Sequence, residues 1–158
     1  MVKRYYNTDL SAAESKKTAK ALAANASVSL KYATEICNQV KGKTVEWTES
    51  FLQDIEQHKR FLPLKRYNKK VAHRKGDAVH GEKAGRYPEK TVQVFLKLLE
   101  NAKANADYKG LDTEKLVIKH AFASQGFARR STQTKGKIGG KVRKKKSAHL
   151  EVVLMEAR

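Results

Sequence analysis

Between residues 127 and 146 the chain carries almost no apolar residue from which a core could be built, yet a patterned apolar segment stands on either side of it. After Asp112, Leu116, Ile118 and Phe122 fall on one face of a strand, and near the C-terminus Leu150, Val152 and Leu154 alternate in the same way. Two strands joined by a segment that cannot be buried form an antiparallel hairpin that must project. Arms of about 20 residues at ~3.3 Å per residue could reach ~65 Å. A body made of the remaining residues would be only ~35 Å across, from a radius of gyration near ~13 Å. Isolated two-stranded ribbons are marginal in water, so a ribbon of this length implies a partner that supports it.

Charge identifies that partner's chemistry. The 158 residues include 34 Lys or Arg against 16 acids, a formal charge of +18 that repels itself until a polyanion neutralises it. Nine of the cations fall within the 18 residues 129–146, with no acid among them: Arg129, Arg130, Lys135, Lys137, Lys141, Arg143, Lys144, Lys145 and Lys146. Each can neutralise a phosphate and release a counterion. Gly136, Gly139 and Gly140 let the backbone bend there and approach a surface closely. A solvated, disordered run is the commoner fate of such stretches, but the two patterned flanks tether this one at both ends.

The rest of the chain suits one domain. Residues 1–27 read as an N-terminal arm with one strand, residues 28–126 and 147–158 as the body, and 127–146 as the basic extension. From Ser29, the spacing of Leu30, Ala33, Cys37 and Val40 predicts a helix that Gly42 ends. Thr44 can cap a second helix, in which Trp47, Phe51, Leu52 and Ile55 share a face. Pro88 suits the first turn of the clearest helix, whose buried stripe is Val92, Phe95, Leu96, Leu99, Ala102 and Ala106, with Gly110 at its end. Trp47, Phe51, Ile55, Val92, Phe95, Leu96, Leu99, Leu116, Ile118, Leu150, Val152 and Leu154 are the expected core.

Residues 58–87 are a second basic segment, a loop punctuated by Pro63, Gly76, Gly81 and Gly85. Cations there interleave with rings, which suits a phosphate backbone with exposed bases to stack on. Phe61, Leu62 and Leu64 read as core anchors of the loop. Lys59, Arg60, Lys65, Arg66, Tyr67, Asn68, Lys69, Lys70, His73, Arg74, Lys75, Arg86 and Tyr87 read as RNA-binding.

Catalytic patterns are absent. Gly139, Gly140 and Lys141 resemble a phosphate loop only superficially, because the glycine spacing and the following Ser or Thr are missing. Ser124-Gln125-Gly126 is no nucleophile elbow. His58, His73, His80, His120, His149 and the lone Cys37 show no zinc-ligand spacing. His120 and His149 read as half-buried structural histidines, and Cys37 as a small buried apolar residue in a reducing compartment. The carboxylates of the helices, Glu46, Glu49, Asp54, Glu56, Glu89, Glu100 and Asp107, read as solvated faces, far from the metal site that a nuclease would need. No apolar run approaches the ~18 residues of a membrane span, and the polar opening of the chain is not a secretory signal, so a cytosolic protein is expected. Asn25-Ala26-Ser27 matches a glycosylation pattern that has no use without secretion.

Arg66-Tyr67-Asn68, then Gly85-Arg86-Tyr87-Pro88-Glu89-Lys90, then Leu96 to Ala102, Asn105-Ala106 and Lys109-Gly110-Leu111-Asp112 follow one another in a specific order and spacing. With Leu116 to His120 and Ala148-His149-Leu150-Glu151, they resemble the archaeal and eukaryotic form of large-subunit ribosomal protein twenty-two, called protein seventeen in many eukaryotes. The resemblance covers about residue 28 to the end, and the preceding arm more loosely. It implies an α+β fold, helices packed on a small antiparallel sheet with a long protruding basic β-hairpin. It also implies a non-enzymatic constituent of the large subunit, with no cofactor, whose partners are ribosomal RNA, neighbouring ribosomal proteins and the nascent peptide. By the same resemblance the hairpin threads into RNA and its tip, with Arg129, Arg130, Lys135 and Lys137, helps line the peptide exit tunnel. Ser131-Thr132-Gln133-Thr134 and Gly139-Gly140 depart from the Arg-rich, aromatic tip of other members. Neither membrane insertion nor a homo-oligomer is expected. The alternative is a basic architectural nucleic-acid-binding protein outside the ribosome.

Overall fold

The computed structural model describes residues 5–75 and 81–157; Gly76 and His80, both assigned to the basic loop, lie outside the described residues, as do residues 1–4 of the arm. The fold is α+β. A three-stranded antiparallel sheet has the order β1-β5-β4, built from β1 (Thr18–Ala26), β4 (Leu116–Thr132) and β5 (Val142–Glu156). Before β1 comes a one-turn helix, α1 (Ala12–Lys16), and between β1 and β4 lie α2 (Leu30–Val40), α3 (Val45–Glu56), a two-residue ladder of β2 (Leu62–Pro63) and β3 (Gly85–Arg86), and α4 (Glu89–Tyr108).

The helices begin and end for local reasons that the sequence states. Thr44 Oγ1 accepts the Trp47 N–H at 3.3 Å, satisfying one free donor of the first turn of α3. Gly110, at φ +71°, turns the chain after α4 in a conformation that costs glycine nothing. Helix α4 packs on β1 and β5, α2 on β4, and α3 on α4. The core between them is Ala33, Ile36, Val40, Phe51, Leu52, Ile55, Val92, Phe95, Leu99, Ala102, Leu116, Ile118, Leu150, Val152 and Leu154.

Three expectations need correction. Trp47 is 37% exposed, because α3 turns Val45, Thr48, Phe51, Leu52 and Ile55 inward; its ring stacks on Phe51 with centroids 5.0 Å apart. On α4, Leu98 is the buried residue and Leu96 is only partly covered. Phe122 does not share the face of Leu116 and Ile118. Ile118 pairs with Leu154 but His120 pairs with Val153, so Lys119 is an extra residue in β4. A bulge of this kind reverses the alternation, which turns Ala121 inward and leaves Phe122 41% exposed.

The strand expected within residues 1–27 is β1, which pairs with β5 from Thr18↔Met155 to Ala26↔Ala148. The segment before it folds back on the sheet. The Asn7 N–H donates to both carboxylate oxygens of Glu151 at 3.1 and 3.2 Å, and Glu14 of α1 pairs with Lys119. Central strand β5 is therefore buried on both faces from Ala148 to Leu154, and its two buried polar side chains, Glu151 and His149, accept hydrogen bonds from the main-chain N–H groups of Asn7 and Asn25.

Candidate nucleic-acid interface

The basic loop of residues 58–87 is anchored by a carboxylate. Glu35 lies on α2 among Ala33, Ile36 and Cys37 and is fully buried. Its Oε1 accepts the N–H groups of Arg66 at 2.8 Å and Tyr67 at 2.6 Å, and its Oε2 accepts that of Lys65 at 3.3 Å. A charge out of water is tolerated only when hydrogen bonds of this kind replace its hydration. The main chain of 65–67 is held so that Arg66, Asn68, Lys69 and Lys70 face solvent. Asn68 takes φ +58°, a left-handed conformation that Asn tolerates better than most residues. The Tyr67 ring lies 5.5 Å from the Arg66 guanidinium and 6.0 Å from Lys31 Nζ.

Phe61, Leu62 and Leu64 are buried and act as the anchors expected of them. They meet β3, where the Leu64 N–H donates to the Ala84 carbonyl at 3.0 Å and where a side chain on Gly85 would overlap the Phe61 ring. Arg74 and Arg86 commit part of their donor sets to the loop itself: Arg74 Nε donates to the Gly85 carbonyl at 3.3 Å, and Arg86 Nη1 to the carbonyls of Gly85 at 2.8 Å and Ala72 at 3.3 Å. Tyr87 sits between the Arg74 guanidinium, 5.8 Å away, and the His58 ring, 4.6 Å away. Lys59, Arg60, His73 and Lys75 are exposed, and Lys65 is half-buried.

The segment 129–146 is a ribbon of cations. Beyond Ala148 the β1 partner ends and β4 pairs with β5 alone, in the register Ala128↔Lys146, Arg129↔Lys145, Arg130↔Lys144, Ser131↔Arg143 and Thr132↔Val142. Two of these cross-strand pairs oppose like charges, a destabilising arrangement. Because side chains alternate, Arg129, Arg143 and Lys145 share one face of the ribbon and Arg130, Lys144 and Lys146 the other. Both faces are cationic and solvent-exposed. Arg129 and Arg130 lie on the paired strand; the turn itself carries Lys135, Lys137 and Lys141, all exposed. Gly136 and Gly140 bend the turn at φ +88° and +80°.

Where the sheet narrows from three strands to two, β1 and β4 each carry a bulge opposite β5, between Ala23 and Ala26 and between Gln125 and Ala128. Asn25, at φ +53°, locks this junction. Its N–H donates to His149 Nδ1 at 3.1 Å, and its Oδ1 accepts the Phe127 N–H at 2.9 Å. Ser147 Oγ donates to the Phe127 carbonyl at 2.6 Å. A side chain on Gly126 would come within 2.8 Å of Asn25 Oδ1 and 2.6 Å of Ser147 Oγ.

Buried titratable groups elsewhere serve the fold. Glu151, fully buried, lies 3.3 Å from His120 Nε2, and burial together with its charge raises the Tyr6 hydroxyl above its ordinary pKa. Burial pushes the Cys37 thiol up to about 12. The hydrogen bond from Lys119 holds the Glu14 carboxyl below the usual carboxylate range. Several helical carboxylates expected on solvated faces have partners: Glu49 pairs with Lys103 at 3.1 Å, Glu56 accepts from Gln93 at 2.8 Å, and Glu89 meets His58 at 2.7 Å. Among the described residues no group of His, Cys, Asp or Glu could hold a metal ion, and no helix is long and apolar enough to cross a membrane.

A small α+β body, a cationic loop fixed from beneath and a two-faced cationic ribbon define a basic scaffold protein whose chemistry is charge and shape. The chain belongs to the ribosomal protein L22p/L17e family, whose sequence pattern matches residues 21–155. It is thus a ribosomal structural protein and not an enzyme. Relatives named large ribosomal subunit protein uL22 include that of Archaeoglobus fulgidus, 48% identical over 70% of each chain. That of Methanococcus vannielii is 40% identical over 91% of this chain and 93% of its own, and that of Ignicoccus hospitalis 36% identical over 96% of each.

Proposed function

We propose that this protein is a constituent of the large ribosomal subunit in the cytoplasm that binds ribosomal RNA through the loop 59–75, with Arg86 and Tyr87, and through the ribbon 129–146. The body, 28–126 and 147–158, abuts neighbouring ribosomal proteins, and the hairpin reaches the wall of the peptide exit tunnel, where the turn at Lys135 and Lys137 meets the nascent peptide.

The observation that carries this reading is the placement of cations on both faces of the ribbon, with Arg129 opposite Lys145 and Arg130 opposite Lys144. A basic patch made to lie on a surface needs one cationic face. Two are useful only where phosphates stand on both sides, as in a cleft between RNA segments. The family membership and the names of the relatives support the subunit assignment.

The test is mass spectrometry of purified large subunits combined with ultraviolet crosslinking. The chain should be present at one copy per subunit, with crosslinks from 129–146 to ribosomal RNA and from the turn to stalled nascent chains. Recovery with DNA, or absence from washed subunits, would replace this reading with that of an architectural protein outside the ribosome.

A further inference from the structure

At the junction between sheet and ribbon the surface forms an open hollow of about 320 Å³, lined by Asn25, Ser27, Phe127, Arg129, Lys145, Lys146 and Ser147. That is the lower end of the ~300–1,000 Å³ typical of small-ligand sites. Its wall combines an apolar ring with cations and three small polar residues, Asn25, Ser27 and Ser147.

Phe127 is the unusual member. A phenylalanine is ordinarily buried, yet this one is 57% exposed. Its position is not loose. The N–H is held by Asn25 Oδ1 and the carbonyl by Ser147 Oγ, so the main chain is fixed on both sides while the ring is left to solvent. The bulges in β1 and β4 produce this, since an extra residue in a strand re-aims the side chains around it. Gly126 permits the close approach of Asn25 and Ser147 that makes both bonds.

We infer that this hollow receives a single unstacked RNA nucleotide, its base on the Phe127 ring and its phosphate between Arg129 and Lys145, which share one face of the ribbon. The inference rests on the ribosomal RNA reading above and assigns a residue, Phe127, that charge alone would not select. An apolar side chain of a neighbouring protein could cover the ring but would leave Arg129 and Lys145 without counter-charge. A nucleotide satisfies both parts, because every base has a stacking face and every nucleotide an anion.

The test measures binding of the full chain to RNA extracted from large subunits, across a salt series, with circular dichroism confirming the fold of each variant. Phe127→Ala should weaken binding by about 5- to 150-fold, the range for loss of one base–aromatic stack, without changing the salt slope. Phe127→Trp should bind like the wild type, and Phe127→Leu like Phe127→Ala. Lys145→Ala should instead lower the slope by about 0.7–0.9. If Phe127→Ala or Phe127→Leu binds like the wild type, the nucleotide site is wrong and the ring faces protein. If the wild type shows no salt-dependent binding at all, the RNA reading falls with it.

Discussion

The Glu35 carboxylate accepts the main-chain N–H of Tyr67 at 2.6 Å, joining the buried side of α2 to a loop 32 residues further along the chain. With Arg66 on the same oxygen, this bond fixes the conformation from which Arg66, Asn68, Lys69 and Lys70 project. A buried anion thus organises a cationic surface. The same charge that would repel RNA at the surface is sequestered beneath the backbone.

Glu35→Ala should therefore destabilise the protein and loosen the loop. Hydrogen bonds to a charged group are worth about 1.5–3 kcal/mol each, and the unpaired donors add their own desolvation cost. Urea unfolding should show a loss of at least that size. Hydrogen exchange at the N–H groups of Arg66 and Tyr67 should accelerate well beyond any change in α4. Equal exchange in variant and wild type would mean that the loop holds its shape without Glu35.

The core offers a second check. Leu99 is 1% exposed among Phe95, Ala102 and the sheet, so Leu99→Ala should cost about 2–5 kcal/mol in urea unfolding. Trp47→Ala, which removes a half-exposed ring stacked on Phe51, should cost less than Leu99→Ala.

Much of this fold was legible in the sequence because period and punctuation are local. The alternation around Leu116 and Leu150, the capping Thr44 and the closing Gly110 each depend on residues a few positions apart. What was not legible depends on long-range events. The bulge at Lys119 leaves no mark in the alternation, which by itself puts Phe122 on the face of Leu116 and Ile118. The rotation of α3 follows from Thr48 fitting the core, where the sequence favoured the larger Trp47. Glu35 was missed as a site residue. It lies off the stripe of Leu30, Ala33, Cys37 and Val40 on α2, and its partners are main-chain donors on another element, so no local pattern marks it. The cations of 129–146 were visible from composition, whereas their division between two faces needed the register.

At the base of the ribbon, Gly126→Ala should displace Asn25 or Ser147, since its Cβ would lie under 3.0 Å from both. Loss of stability should fall within the ~1–3 kcal/mol typical of overpacking. NMR shift changes should concentrate at Asn25, Phe127 and His149. Unchanged shifts at those residues would refute the junction described above.

Cys37 should be inert in the native protein. It is 4% exposed, and burial raises its thiol to about 12, so the reactive thiolate is scarce at pH 8. Labelling by a thiol reagent should follow unfolding and rise with urea along the same transition as the circular dichroism signal. Rapid labelling without denaturant would show that α2 opens locally.

The central claim is that the ribbon engages phosphates on both faces, and the salt dependence of RNA binding tests it most directly. Two triple variants divide the cations by face: Arg129, Arg143 and Lys145 to Ala on one, Arg130, Lys144 and Lys146 to Ala on the other. With about 0.7–0.9 lost from the log–log slope per phosphate contact, each triple should lower the slope for large-subunit RNA by about 2–3. The account predicts similar losses from both. A full loss from one triple and an unchanged slope from the other would contradict it, and would place the ribbon flat on an RNA surface with its second face in solvent.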